Sequence, residues 1–198
     1  MKFLFPFVFF SAIAFSAYVK RNAKNDLDIT MEILNKEREA NTTRRQDISN
    51  LDYIHLDPDR LPVLTAPSSK LADYDQKLRG YVDKKMLNLS GISNTELKLT
   101  YGAPNLPILS EYDEAFTQCS ILLNKYGQTL MEEGFSREAV ELLNYTLELG
   151  AASSQSILLL GKEYQRTGNT SALDQLLLHA SSLPDSIREL TIQKLRDL

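Results

Sequence analysis

Two histidines and one cysteine are the only imidazole and thiol groups in 198 residues. His55 stands in "LDYIHLDPD", with Asp52 before it and Asp57 after it. An imidazole between two carboxylates is the seed of a metal site or a general base. The sequence supplies no third and fourth ligand, so this segment reads as an extended arm carried by its apolar residues. Cys119 lies in "FTQCSILL", where a thiol is a small core side chain rather than a nucleophile. His179, beside Leu178 and Ala180 on a predicted helix, reads as packed or surface. There is no glycine-rich phosphate loop, no serine elbow and no Cys/His cluster. The expectation is therefore no catalysis, no cofactor and no metal.

What remains is binding chemistry. Lys162 and Arg166 are four apart on a predicted helix, so both can face one side and grip a carboxylate or acidic side chain. Asn124 and Gln128 repeat that spacing upstream and suit an extended peptide backbone. With Gln165 these five form the candidate partner-binding groove. The alternative for all five is a solvated polar face with no ligand.

The totals restrict the partner. Hydrophobic residues at 43% and charged residues at 24% suit a folded domain. A net charge of -4 and a pI near 5.3 argue against nucleic acid, whose phosphates need a basic surface. A single cysteine excludes an intramolecular disulfide.

The elements that must position the groove begin with an apolar N-terminus. Phe3 to Val19 is an uncharged run of seventeen residues followed by Lys20, Arg21 and Lys24. As a helix it would span about 26 Å, near the lower limit for crossing hydrocarbon. Residues 1–19 are expected to be a transmembrane anchor, and the basic cluster after it places the C-terminal domain in the cytoplasm. The rival is a secretory signal cleaved near Ala14, where Ala12-Ile13-Ala14 fits the small-residue pattern. Residues 20–47 read as a charged juxtamembrane helix and linker, with Leu27, Met31 and Leu34 at helical spacing. Pro58, Pro62 and Pro67 make 48–69 an extended arm, docked by Leu51, Tyr53, Ile54, Leu56 and Leu61.

The helical domain occupies 70–198. Leu71, Tyr74, Leu78, Tyr81 and Val82 predict a helix from Lys70 to about Leu87, capped by Ser68 or Ser69. Residues 88–109 break up, with a short helical turn opened by Ser93 and Glu96. Ser110 is expected to open a helix to Glu133, stopped by Gly134. Ser136 caps the next, ended by Gly150. Ser154 opens a third, ended by Gly168, and Asn169 or Thr170 a fourth, ended before Pro184.

Gly127 and Gly161 stand 34 residues apart (161 − 127), as do Gly134 and Gly168 (168 − 134). In register, Leu123, Tyr126 and Leu130 fall on Ile157, Leu160 and Tyr164, and Leu143 falls on Leu177. This resembles the tetratricopeptide repeat, which pairs helices in 34-residue units. The resemblance covers about 120–186 and departs from the pattern at Leu143, Leu173, Leu177 and Pro184. It implies an all-α architecture, a transmembrane helix followed by a helical hairpin array, with 70–87 and 185–198 as end caps. Gly127 and Gly161 would then admit a close approach between the two helices of each hairpin, and Ala139 would serve the same role from the second helix. It also implies a groove, lined by the first helix of each hairpin, that holds a protein or peptide partner. The segments "RRQDISNLDYI" and "LNLSGISNTELKLTYGAPNL" look like those of an uncharacterised family of N-terminally anchored proteins of Gram-positive bacteria. The resulting expectation is a membrane-anchored scaffold or adaptor. The alternatives are a structural subunit of a membrane complex without a peptide groove, or a secreted repeat protein after signal cleavage.

Overall fold

The computed structural model describes residues 27–181, 183 and 185–198. The expected anchor, the basic cluster after it and the cleavage pattern near Ala14 lie outside the described residues. Among the described residues no helix is long and apolar enough to cross a membrane. Their regular structure is helical, with one isolated antiparallel bridge between Ile54 and Met86. The helices are α1 (27–42), α2 (Ser69–Arg79), α3 (Asn94–Tyr101), α4 (Leu106–Glu132), α5 (Ser136–Glu148), α6 (Ser154–Thr167), α7 (Thr170–Ser181) and α8 (Asp185–Arg196). They fall into two compact units, residues 27–49 with 91–107, and 50–90 with 108–198.

In the first unit α1 is tied to α3 by polar contacts. Lys98 Nζ donates to Glu37 Oε1 at 2.6 Å and to Asn41 Oδ1 at 2.8 Å, and the Thr95 hydroxyl donates to Glu37 Oε2. The expected capping box at the start of α3 is present, with Ser93 and Glu96 satisfying each other's backbone N–H groups. Buried Asn105 fastens the two ends of the unit, accepting from Arg45 Nε at 2.9 Å and donating to the carbonyls of Gln46 and Tyr101. The charged character expected of α1 is matched by its exposure. Leu27, Ile29, Met31, Ile33 and Leu34 all face solvent, and Ala40 is buried.

In the second unit the arm packs as its apolar residues require. Leu56 and Leu61 join Leu71 and Leu78 of α2, Leu123, Tyr126 and Leu130 of α4, and Ala139, Leu142 and Tyr145 of α5 in one core. The Asp57 N–H donates to the Tyr145 hydroxyl at 2.7 Å, and the Arg60 guanidinium lies 4.6 Å over the same ring. A second core joins Leu143, Ile157, Leu160, Tyr164, Leu176, Ala180 and Leu195.

Several helix ends differ from the sequence expectation. The helix expected to reach Leu87 stops at Arg79, with Gly80 as its C-cap. The apolar period continues through Tyr81 and Val82, but tertiary bonds prevail. Ile54 N–H donates to Met86 O at 2.8 Å and Leu87 N–H donates to Tyr112 O at 3.2 Å, burying Met86 and Leu87. The helix expected from Ser110 begins at Leu106. Pro107 lies in its first turn, where a missing N–H costs nothing. Asp113, three residues after Ser110, lies inside the helix and accepts from the Leu89 N–H at 2.9 Å. Ser136 is the first residue of α5 rather than its cap, and Phe135 at the N-cap makes no side-chain bond. Ser153, not Ser154, caps α6 by accepting from the Ser156 N–H.

The hairpin turns fall where the glycines place them, with Gly134 at φ +88° and Gly168 at φ +70°. At Gly127 a Cβ would collide with the Leu143 side chain, Cγ included at 2.7 Å, so the close approach is to α5, its own hairpin partner. At Gly161 the expectation changes. Its near neighbours are Leu195 Cδ2 at 2.5 Å and Leu198 Cδ1 at 2.9 Å, from α8 and the chain end, while Leu176 of α7 is at 3.6 Å.

Candidate functional site

A cavity of about 470 Å³ runs along α4 and the start of α6. Its apolar lining comes from Phe116 and Ile121, and its polar lining includes Asn124, Lys125, Gln128 and Gln155. The loop of residues 150–153 closes one side. The 34-residue register explains why these side chains share a face, since Ile121 falls on Gln155 and Gln128 on Lys162.

Of the five expected groove residues, only Asn124 and Gln128 line this cavity. Asn124 is not available to a ligand. Its Nδ2 donates to the carbonyls of Ser120 at 2.6 Å and Ala151 at 2.7 Å. Its Oδ1 accepts from the Ser153 N–H at 2.8 Å and from the Ser156 hydroxyl. Two donors and two acceptor positions are all that a carboxamide has. Asn124 therefore clamps the α5–α6 turn to α4. Its register mate Leu158 packs against the second core, so this part of the face is interior.

Gln128 is tethered but exposed at its edge, donating to Glu132 Oε1 at 2.7 Å and accepting from Gln155 Nε2 at 3.2 Å. Lys162 and Gln165 are exposed on α6, outside the cavity lining. Arg166 is held by Glu163 through two bonds, Nε to Oε2 at 2.8 Å and Nη2 to Oε1 at 2.6 Å. The Arg166 bonds hold the Glu163 carboxyl below its ordinary value and raise the guanidinium. Arg166 keeps further N–H donors toward solvent, but its charge is paired with Glu163.

Lys125, Ile121 and Gln155 were missed by sequence reasoning. The 34-residue register pairs Ile121 with Gln155, but Lys125 falls on Leu159 and had no such signal. Among the described residues Lys125 and Lys162 have no ion pair.

The residues considered for catalysis lie apart. His55 is exposed on the arm, and His179 is exposed on α7. Cys119 is buried in the first core, and burial pushes its thiol up to about 11. Among the described residues no three or more His, Cys, Asp or Glu side chains are placed to hold a metal ion.

Comparison with protein-family models, with curated proteins and with solved structures finds no match to this chain.

Proposed function

We propose that this chain is a tetratricopeptide-like scaffold or adaptor without catalysis, anchored by residues 1–19 and holding a protein partner along α4 and α6. The observation that carries the reading is the cavity on the first helices of two hairpins whose glycines keep a 34-residue register. Its apolar floor at Phe116 and Ile121 suits a side chain of an extended peptide, and Gln128 and Gln155 offer bonds to its backbone. Lys125 and Lys162 favour an acidic segment and disfavour a basic one. The anchor and the basic residues after it place this face on the cytoplasmic side of the membrane.

Photo-crosslinking in cells tests the face. With p-benzoylphenylalanine at Ile121 or Gln155, one partner species is expected to be captured, and Lys125→Glu with Lys162→Glu is expected to abolish that capture. The same crosslinker at Glu141, exposed on α5, is expected to capture nothing. Equal capture at all three positions, or capture indifferent to the charge reversals, overturns the reading. Protease treatment of intact and lysed cells, following a C-terminal tag in the membrane fraction, tests the anchor. Digestion in intact cells, or release of the tag to the medium, refutes a cytoplasmic domain.

A further inference from the structure

A separate pocket of about 220 Å³ lies where the arm crosses α2 and α4. Pro62, Leu64, Pro67 and Leu71 make its walls apolar, and Asp75, Arg79 and Tyr126 make one end polar. The polar end is incompletely bonded. Asp75 Oδ2 accepts from Arg79 Nε at 2.8 Å, but Asp75 Oδ1 is buried and has no hydrogen-bond partner among the described residues. An unsatisfied buried carboxylate oxygen is costly, and each native instance asks for a physical account.

Tyr126 is 1% exposed, and its hydroxyl has no hydrogen bond to any described residue. Burial pushes this phenol up to about 12, so it stays protonated and can donate. Arg79 keeps further N–H donors beyond the one used on Asp75. Beside the lining residue Pro67 the backbone is in an unusual conformation, with Ala66 at φ +58°. A non-glycine residue holds that conformation only when its surroundings impose it.

These groups select a ligand chemistry. The paired Asp75 and Arg79 cancel in charge, so an anion meets the carboxylate and a cation meets the guanidinium, each unfavourably. A neutral group is favoured if it presents a donor and an acceptor side by side on an apolar body. A secondary amide has that form. We propose that the pocket binds an amide edge, its N–H donated to Asp75 Oδ1 once that carboxylate turns toward the pocket and its carbonyl accepting from the Tyr126 hydroxyl or Arg79, with the adjoining apolar group against Pro62, Leu64 and Leu71. The amide belongs either to a peptide chain or to a free small molecule.

Calorimetric titration of the full chain in lipid nanodiscs tests this with three probes: N-acetyl-leucine amide, the capped tetrapeptide acetyl-Ala-Leu-Ala-Ala-amide, and isobutyl methyl ketone. The ketone keeps the branched body and the acceptor but lacks the N–H. Saturable binding is expected for at least one amide and not for the ketone. Tighter binding of the tetrapeptide assigns the pocket to a peptide, and tighter binding of the single residue assigns it to a small molecule. Tyr126→Phe and Asp75→Ala are each expected to weaken amide binding by about tenfold, because a site built to hydrogen-bond its ligand discriminates steeply. Helix content by circular dichroism is the folding control. Binding of neither amide, equal binding of the ketone, or wild-type affinity in both variants overturns the proposal. Lys125→Glu is expected to leave this binding unchanged, so the pocket and the α4/α6 face stand or fall separately.

Discussion

Gly127→Ala sets two known effects against each other at one position. Replacing a mid-helix glycine by alanine stabilises a helix by roughly 1 kcal/mol when nothing is in the way. Here Leu143 is in the way, its Cγ 2.7 Å from the position the new Cβ would take. Carbon atoms pack comfortably at about 3.5–4.0 Å, so Leu143 must retreat by about 1 Å. Rotating the end of the side chain does not suffice, because Cγ itself is too close. Leu143 is fully buried with Ile157 and Leu160, which leaves no room behind it. Overpacking of this kind costs typically about 1–3 kcal/mol. The net expectation is destabilisation by up to about 2 kcal/mol, read as a lowered urea midpoint at unchanged slope. A double-mutant cycle sharpens the test. Leu143→Ala alone should cost about 2–5 kcal/mol through its cavity. Combined with Gly127→Ala the cost should fall short of the sum by 1 kcal/mol or more, because the new methyl no longer meets Leu143. A raised midpoint for Gly127→Ala, or strict additivity in the cycle, refutes the close-approach account.

Three further outcomes follow from the same geometry. Asn124→Ala should lower stability by about 1–3 kcal/mol, since the buried Ala151 carbonyl and the Ser153 N–H lose their partner together; hydrogen exchange should rise first over residues 151–156. Acid should loosen the first unit before the core of the second. Glu37 is held below its ordinary value by Lys98 and Thr95, Glu96 by the Ser93 hydroxyl and N–H, and Asp47 by Ser49. Because folding lowers these pKa values, their contribution is present above the ordinary carboxylate range and is lost as pH falls through the lowered values. Hydrogen exchange should therefore quicken in 27–49 and 91–107 at a higher pH than in α4 and α5, and simultaneous loosening would count against the assignment. Cys119, its thiol pushed up to about 11 by burial, should resist iodoacetamide at about pH 8 until urea unfolds the second unit; rapid alkylation of the native chain would place it outside the core.

The legible parts of the fold are those written in local backbone chemistry. Gly134 and Gly168 end their helices because a left-handed residue does so wherever it stands, and Ser93 with Glu96 closes a capping box within four residues. What the sequence conceals is settled by distant atoms. Nothing near Arg79 says that the chain must turn so that Met86 can reach Ile54, and nothing near Pro107 says whether it breaks a helix or starts one. The groove illustrates the same division. The register aligns Gln128 with Lys162, but only Gln128 lines the cavity. Whether a polar side chain on that face is free depends on what the α5–α6 turn offers it, and Ser153, Ser156 and Ala151 consume Asn124 entirely.

Gly127 and Gly161 stand 34 residues apart, yet the space beside each is filled differently. Gly127 is filled from its own partner helix, by Leu143. Gly161 is filled by Leu195 and Leu198, so the small residue of the second hairpin receives α8 rather than α7. Leu195 is thereby buried in the second core with Leu176 and Ala180, and that core is covered. The other side of α8 carries Asp185, Glu189, Arg196 and Asp197, all exposed. Asp185 is paired with Arg188 at 2.7 Å on that side, and Leu190, 57% exposed, lies on its flank. The small residue at 161 is therefore what lets α8 lay Leu195 into the second core while its charged side stays in solvent.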